Sequence, residues 1–337
     1  MQKVIKKKLG PTYTPFGVDT LQIDSVVDFD CYIKRFNGYV IIIEQGTLIT
    51  EKLFEKIRHN EQLYVHESEL NKHKAYCKAM QNLETEKLAI DKAIENVIAL
   101  PVQIQKHKKT QDKLHLVYQS VCDLGYLFFN AKSYAKLPLK ALETFIDVTL
   151  QLIVSSEGLL PKFLKMMPDK YHIEYHSVNV CILSIFLGHK IGFQRSDLHR
   201  LAMAAILHDI GKLQIENSIL EKDSSLDPQE FEVVREHSTM SAEMASKNNI
   251  SDKQILNAIL YHHEKFDGSG YPEGLTKHDI PKMAQIIGIC DAFDALTTDR
   301  TFREKYSSFD ALTLMRDEMS QQLNQDYIKS FIQLLRE

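Results

Sequence analysis

The sequence has no run of about 18 consecutive apolar residues, the length a membrane-spanning helix requires, so no membrane span is expected. It has no cysteine framework. Cys31, Cys77, Cys122, Cys181 and Cys290 are odd in number and far apart, which leaves no disulfide ladder and no Cys-x-x-Cys site and predicts reduced thiols. It has no excess of one charge: 41 Lys and Arg stand against 45 Asp and Glu, a net charge of −4. The basic face expected of a protein that binds a nucleic-acid polymer is therefore missing. The basic start, residues 1–9, leads into no apolar signal core. A soluble, cytoplasmic protein is the expectation. At 337 residues and 44% apolar composition the chain can bury a sizeable core and should form more than one domain.

Residues 1–80 read as a small α+β regulatory module. The alternating run 29–36, then Asn37-Gly38, then 39–43 predicts a hairpin. Thr50 is placed to cap a helix over 51–58, and 63–65 reads as a short strand. His59, His66 and His73 fall on different elements and read as surface histidines. Residues 81–130 read as a helical linker: one charged helix over 69–98, a break at Leu100-Pro101, and a second helix over 103–129. The basic run 106–109 is read there as a solvated helix face. Long helices between domains suit a dimer seam or a signalling partner, and the sequence leaves that choice open.

From residue 131 onward the pattern is helix after helix, so an all-α domain over 131–337 is expected and the fold class is mainly α. Helices are predicted over 139–155, 171–187, 196–207, 230–247 (Pro228 just before it), 252–261 (capped by Ser251) and 283–296, with more in 309–335. Four histidine features lie in this half. His172 and His176 are spaced to share a helix face. His208-Asp209 follows an apolar run, with Lys212 on the face of His208 if the helix continues. His237 lies within the next long helix. His262-His263 precede Glu264 and the loop 267–272, Asp-Gly-Ser-Gly-Tyr-Pro. Adjacent residues on a helix diverge by about 100°, so His262 and His263 would serve two neighbouring ions rather than one. Asp291 and Asp294 sit on an otherwise apolar helix and need a partner or a metal. Taken singly, these are satisfied core groups, surface histidines or a turn. Together they form a nitrogen-and-carboxylate set without thiolate, which suits iron, manganese or zinc better than calcium.

The order His, His-Asp-Ile-Gly-Lys, His, His-His-Glu-x-x-Asp-Gly-x-Gly-Tyr-Pro, Asp resembles the HD-GYP branch of the HD-domain metal-dependent phosphohydrolases over about residues 130–337. The resemblance implies an all-helical domain around a di- or trinuclear metal centre, often iron, that hydrolyses cyclic di-GMP to pGpG or GMP. It implies His176, His208, Asp209, His237, His262, His263 and Asp291 as metal ligands, with Asp209 bridging two ions. It implies Lys212 at a substrate phosphate, the loop Asp267, Gly268, Gly270, Tyr271 and Pro272 beside the substrate, and Arg300 and Arg303 as a basic segment near the phosphates. Trinuclear members carry Glu where this chain has His172, so two divalent ions are expected, with His172 an extra ligand or a group behind the ligands. Phe302 stands where a Tyr is usual, and Ser238 and Ser241 stand where Pro and Gly are usual. The implied chemistry is attack by a metal-activated bridging hydroxide, with ions about 3.5–4 Å apart and Asp209 and Lys212 in the catalytic group. The competing reading is a low-activity cyclic dinucleotide sensor or docking protein with an intact metal site.

Overall fold

The computed structural model describes residues 12–35, 38–58, 62–130, 136–156, 158–170, 172–220, 222, 224, 226–299 and 303–336. Thus the basic start 1–9 and Asn37, His59, Arg300 and Phe302, named above, lie outside the described residues. The chain divides into two compact units, Met1–Ala89 and Ile90–Glu337.

The first unit holds a four-stranded antiparallel sheet in the order β1-β4-β2-β3, with β1 Tyr13–Phe16, β2 Cys31–Arg35, β3 Gly38–Ile43 and β4 Leu63–His66. The two expected hairpin strands pair, Ile33 opposite Val40 and Lys34 opposite Tyr39. The period-2 pattern sends Cys31, Ile33, Leu63 and Val65 inward with Phe16, Phe29 and Ile49. Tyr13 and Tyr39 stack at 3.8 Å between ring centroids, with Tyr32 and Tyr64 edge-on to them. Thr50 caps α1, Glu51–Ile57, by accepting the Leu53 N–H.

Helix α2, Leu70–Ile98, runs as one element. The predicted helix over 103–129 is shorter: a turn, α3 Leu100–Gln103, carries Pro101 in its first positions, and α4 is Thr110–Asn130. His107 is extended (φ −99°, ψ 132°), so the basic run 106–109 is a connection and not a helix face. Next come α5 Leu139–Val154, α6 Leu160–Leu164, α7 Ile173–Lys190, α8 Arg195–Leu207, α9 Asn217–Leu220, α10 Pro228–Arg235, α11 His237–Lys247, α12 Lys253–Leu260, α13 Lys282–Thr297, α14 Ser308–Asp317 and α15 Gln325–Leu334. The single helix expected over 230–247 is two, α10 and α11, meeting at Glu236. The cap of α12 is Asp252, whose carboxylate accepts the Gln254 N–H, and not Ser251.

Helix α7 is the hub, buried without interruption from residue 176 to 188. A helix that is apolar all round has no solvent face and must be enclosed. Helices α4, α5, α8, α13 and α15 pack around it. Its closest neighbour is α8, because Gly188 leaves no Cβ to meet Leu201 at 2.7 Å. Helix α13 is the second enclosed element, through Ile286, Ile287, Ile289 and Phe293.

Candidate metal centre

Helix α7 supplies His176, buried at 2% exposure. His172 does not share its helix. The residue is extended (φ −143°, ψ 138°) just before α7, its side chain is 56% exposed, and its Nδ1 lies 3.9 Å from Glu174. The expected shared face therefore fails because the helix starts one residue too late. Helix α8 ends at Leu207, His208 is its C-cap, and Asp209 (φ −106°, ψ 4°) turns the chain into a tight 3₁₀ segment, Ile210–Gln214. Lys212 consequently does not lie over His208 but pairs with Asp209, Nζ to Oδ2 at 2.5 Å. Gly211 is required here. A Cβ would sit 2.4 Å from the His237 carbonyl, and its N–H donates to the Ser241 hydroxyl at 2.8 Å. Ser241 thus satisfies a buried backbone donor, a role its side chain fills directly.

His237 opens α11. His262 and His263 follow the end of α12 at Leu260, outside helical geometry. Their rings accordingly do not diverge: their centroids are 4.1 Å apart, and both approach His237, Nε2 to Nε2 at 3.4 Å and 3.2 Å. Gly288 on α13 lets that helix close on the His262 carbonyl, 2.5 Å from where a Cβ would be.

The hydrogen bonds at the outer nitrogens set the chemistry. His208, His237 and His262 each place Nδ1 at 2.5–2.7 Å from the carbonyl three residues back, Ala205, Val234 and Ile259. A carbonyl only accepts, so Nδ1 carries the proton and Nε2 presents a lone pair. His176 Nδ1 donates to Asp294 Oδ2 at 2.7 Å. Asp294, buried, also accepts from Asn179 at 2.8 Å, and Asn179 accepts the Tyr118 hydroxyl at 2.8 Å. On the inner side, His176 Nε2 lies 3.3 Å from Asp209 Oδ2 and 3.2 Å from Asp291 Oδ1. His237 Nε2 lies 3.2 Å from Asp209 Oδ1, and His263 Nδ1 lies 3.8 Å from Asp291.

Two groups of ligand atoms result, each within 4.8 Å: His176, His208 and Asp209, and Asp209, His237, His262 and His263. Asp209 belongs to both. Lone pairs gathered this closely are held together only by positive charge, whether a ring proton, an ammonium or a metal ion. His208 Nε2 and Asp209 Oδ1 are buried with no hydrogen-bond partner among the described residues. That pair of orphaned acceptors is what a divalent ion satisfies, so the donor set fits one. Burial depresses the pKa of His208, His262 and His263, which favours neutral rings with a lone pair available. Burial opposes ionisation of Asp209, but Lys212 and the neighbouring imidazoles outweigh it and hold the carboxyl well below the usual range. Asp291 is likewise held low, against burial, by His176 and His263.

The loop after His263 is anchored by Glu264, a role that sequence spacing does not reveal. Its carboxylate accepts the N–H groups of Glu273, Gly274 and Leu275 at 2.7–3.0 Å. Gly268 has φ +78°, and a Cβ on Gly270 would lie within 2.5 Å of the backbone of residues 263–265. The loop's glycines are therefore demanded by its own packing. Tyr271 lies against His263, centroids 4.7 Å apart, with the Arg235 guanidinium 4.9 Å from its ring. Arg303 donates to the carbonyls of Ala295, Leu296 and Glu304 and closes the end of α13. Asp294, Asn179 and Glu264 are the groups that spacing alone did not assign. The one available signal was Asp294, three residues after Asp291 on an apolar helix.

Residues 168–326 match the family model of the HD domain. Over 142 residues the chain is 34% identical to the cyclic di-GMP phosphodiesterase PA4108 of Pseudomonas aeruginosa, covering 42% of this chain and 34% of that protein. Over 163 residues it is 32% identical to the 3'3'-cGAMP-specific phosphodiesterase 2 of Vibrio cholerae, covering 48% of this chain and 30% of that one. The chain thus spans about a third of the length of these curated relatives. Among solved structures it superposes on Bd1817, a HDG"Y"P protein from Bdellovibrio bacteriovorus, with a TM-score of 0.57 over 97% of this chain and 100% of that one. At 20% identity that likeness is one of fold.

Proposed function

We propose that this chain, whose residues 168–326 match the family model of the HD domain, is a member of the HD-GYP family and a metal-dependent phosphodiesterase that hydrolyses cyclic di-GMP to pGpG or GMP. The observation that carries the reading is the orphaned pair His208 Nε2 and Asp209 Oδ1 at the meeting of five imidazoles and two carboxylates. The two overlapping ligand groups support two ions, iron, manganese or zinc, which His176, His208, Asp209, His237, His262, His263 and Asp291 would hold, Asp209 being common to both groups. Ions held there act as Lewis acids toward the phosphoryl group and lower the pKa of water toward neutrality.

The protein's own part follows from the geometry. The fixed Nδ1 protons orient the imidazoles before any ligand arrives, so no reorganisation is needed at the site. Lys212, 17% exposed, puts an ammonium at the edge of the cluster, where it offsets charge building on the phosphoryl oxygens. The anchored loop 267–272 brings Tyr271 against His263 at the cluster, beside where a substrate would lie. Arg303 belongs to the same proposal as the anchor of the segment that also holds Arg300. A homodimer or a signalling partner is proposed for the first unit, with no surface assigned.

The test is turnover by anaerobically purified, iron- or manganese-loaded protein, with cyclic di-GMP and 3'3'-cGAMP in parallel and metal content measured on the same sample. Cyclic di-GMP should be cleaved to linear products, and His208→Ala with Asp209→Ala should lose both metal and turnover. Full metal occupancy without cleavage of either compound would establish the sensor reading instead.

A further inference from the structure

The sheet of the first unit has two edges, and only one is guarded. Strand β1 is short and carries Pro15, which has no N–H to offer a neighbour. Strand β3, the other edge, reads Gly-Tyr-Val-Ile-Ile-Ile, with no charge and no proline. Among the described residues, residues 38–43 make no backbone hydrogen bond beyond β2. An apolar edge of this kind is a template for one more strand.

The side chains of β3 agree with a missing neighbour. Val40 stands opposite buried Ile33 and so lies on the core face, yet it is 51% exposed. Tyr39 and Ile41 lie on the other face, and Ile41 is 42% exposed. Cys31 pairs with Ile43 and Tyr32 with Ile41, so Ile42 is an extra residue whose bulge ends the straight run. Val40 is the middle of the straight segment 39–41. Charge is divided along the β2–β3 hairpin: Lys34 and Arg35 are exposed beside the turn, and Asp30 and Glu44 stand at the open end. An identical hairpin laid antiparallel brings its basic end beside the acidic end, twice over. A parallel one would bring like charges together. The edge therefore fits a second copy of itself.

We propose that β3 pairs antiparallel with β3 of a second copy of this chain, joining the two sheets into one about a two-fold axis. Val40 lies opposite the partner's Val40, and Tyr39 opposite the partner's Ile41. Both faces of the edge then gain apolar cover, and its outward backbone groups find partners. This gives a surface to the homodimer proposed for the first unit; the phosphodiesterase reading is not involved.

The test is sedimentation equilibrium of the metal-loaded full chain. A single short strand buries little area, so the dimer should be weak, in the micromolar range, and concentration-dependent. Val40→Lys sets two ammonium groups opposite each other and should raise the dissociation constant about tenfold or more. Mixing it with Val40→Glu should restore association. Metal content should stay that of the parent in both variants, which separates this result from the fate of the phosphodiesterase reading. Val40→Cys should cross-link into a dimer under oxidised glutathione, while the parent and Lys34→Cys, exposed but one strand further in, should not; this serves where the charged variants do not fold. A monomer at every concentration, a dimer untouched by Val40→Lys, a mixture no tighter than either variant alone, or Lys34→Cys linking as fast as Val40→Cys would each overturn the proposal.

Discussion

Asp294→Asn is the sharpest probe of how the centre is held. Asp294 accepts from His176 Nδ1 on one oxygen and from Asn179 on the other. Asparagine has the same shape but one acceptor and one donor. Asn179 can turn over to meet it only by making the Tyr118 hydroxyl, 2.8 Å away, an acceptor. That leaves the buried O–H without its partner, at the same cost of about 1–3 kcal/mol as two donors head to head. Two outcomes remain for the variant. Its amide faces Asn179, leaving two buried donors head to head at about 1–3 kcal/mol. Otherwise it faces His176 Nδ1, which then becomes the acceptor and moves the ring proton to Nε2, removing the lone pair from the metal side.

The first outcome lowers Tm by roughly 2–12 °C, at about 2–4 °C per kcal/mol for a domain of this size. The second lowers metal affinity by about 10–100-fold, the usual effect of removing the partner of a ligating imidazole. Calorimetry on metal-free protein and chelator competition on loaded protein separate them. If the variant keeps both the melting temperature and the metal affinity of the parent, Asp294 does not orient His176 and the tautomer argument is wrong.

Glu264→Ala leaves the N–H groups of Glu273, Gly274 and Leu275 without their acceptor, so the loop should become a protease target and turnover should fall at least tenfold, at about 1–3 kcal/mol for each group; unchanged limited proteolysis would count against this. Gly270→Ala forces a Cβ within 2.5 Å of the 263–265 backbone, which should cost about 1–3 kcal/mol and displace His263. Loss of metal in that variant without change in helix content is the expected readout. Burial holds the pKa of His208, His262 and His263 below the ordinary 6.5, so the unfolded chain takes up protons first. Metal-free protein should keep this stability above about pH 6.5 and lose it as pH falls, by up to about 1.4 kcal/mol per pH unit for each ring. Denaturant midpoints across that range check the slope, and a flat profile would refute it. Chelation should abolish turnover and leave the helices folded, because the core around α7 does not include the cluster's ligand atoms.

What the sequence makes legible is what local periodicity encodes. The helices over 139–154, 195–207 and 282–297 announce themselves by apolar spacing, and the strand pair by period 2 around Asn37-Gly38. The ligand residue types are equally plain, because buried imidazoles and carboxylates need a reason. Illegible were the places where the backbone leaves its period. Glu236 splits one amphipathic run into α10 and α11, though both residues beside it are ordinary helix formers. Leu207 and Leu260 end helices with neither glycine nor proline following, so the direction of the next side chain could not be read.

Those breaks decide the chemistry. If α12 ran on through residue 263, the rings of His262 and His263 would point about 100° apart; because it stops, both reach His237. If α8 ran on, Lys212 would lie over His208; because Asp209 turns the chain, the ammonium meets the carboxylate instead. His208 and His262 are thus presented from helix ends, where the next residues are free of the helical repeat yet fixed by a carbonyl of the last turn, Ala205 for His208 and Ile259 for His262. A helix interior offers no such carbonyl, since each is already taken by the N–H four residues on. His176, within the first turn of α7, shows the consequence: its Nδ1 is met by Asp294, delivered from another helix 118 residues away. That is why the tautomer of three ligands rests on local geometry and that of the fourth on a long-range pair no periodicity could reveal.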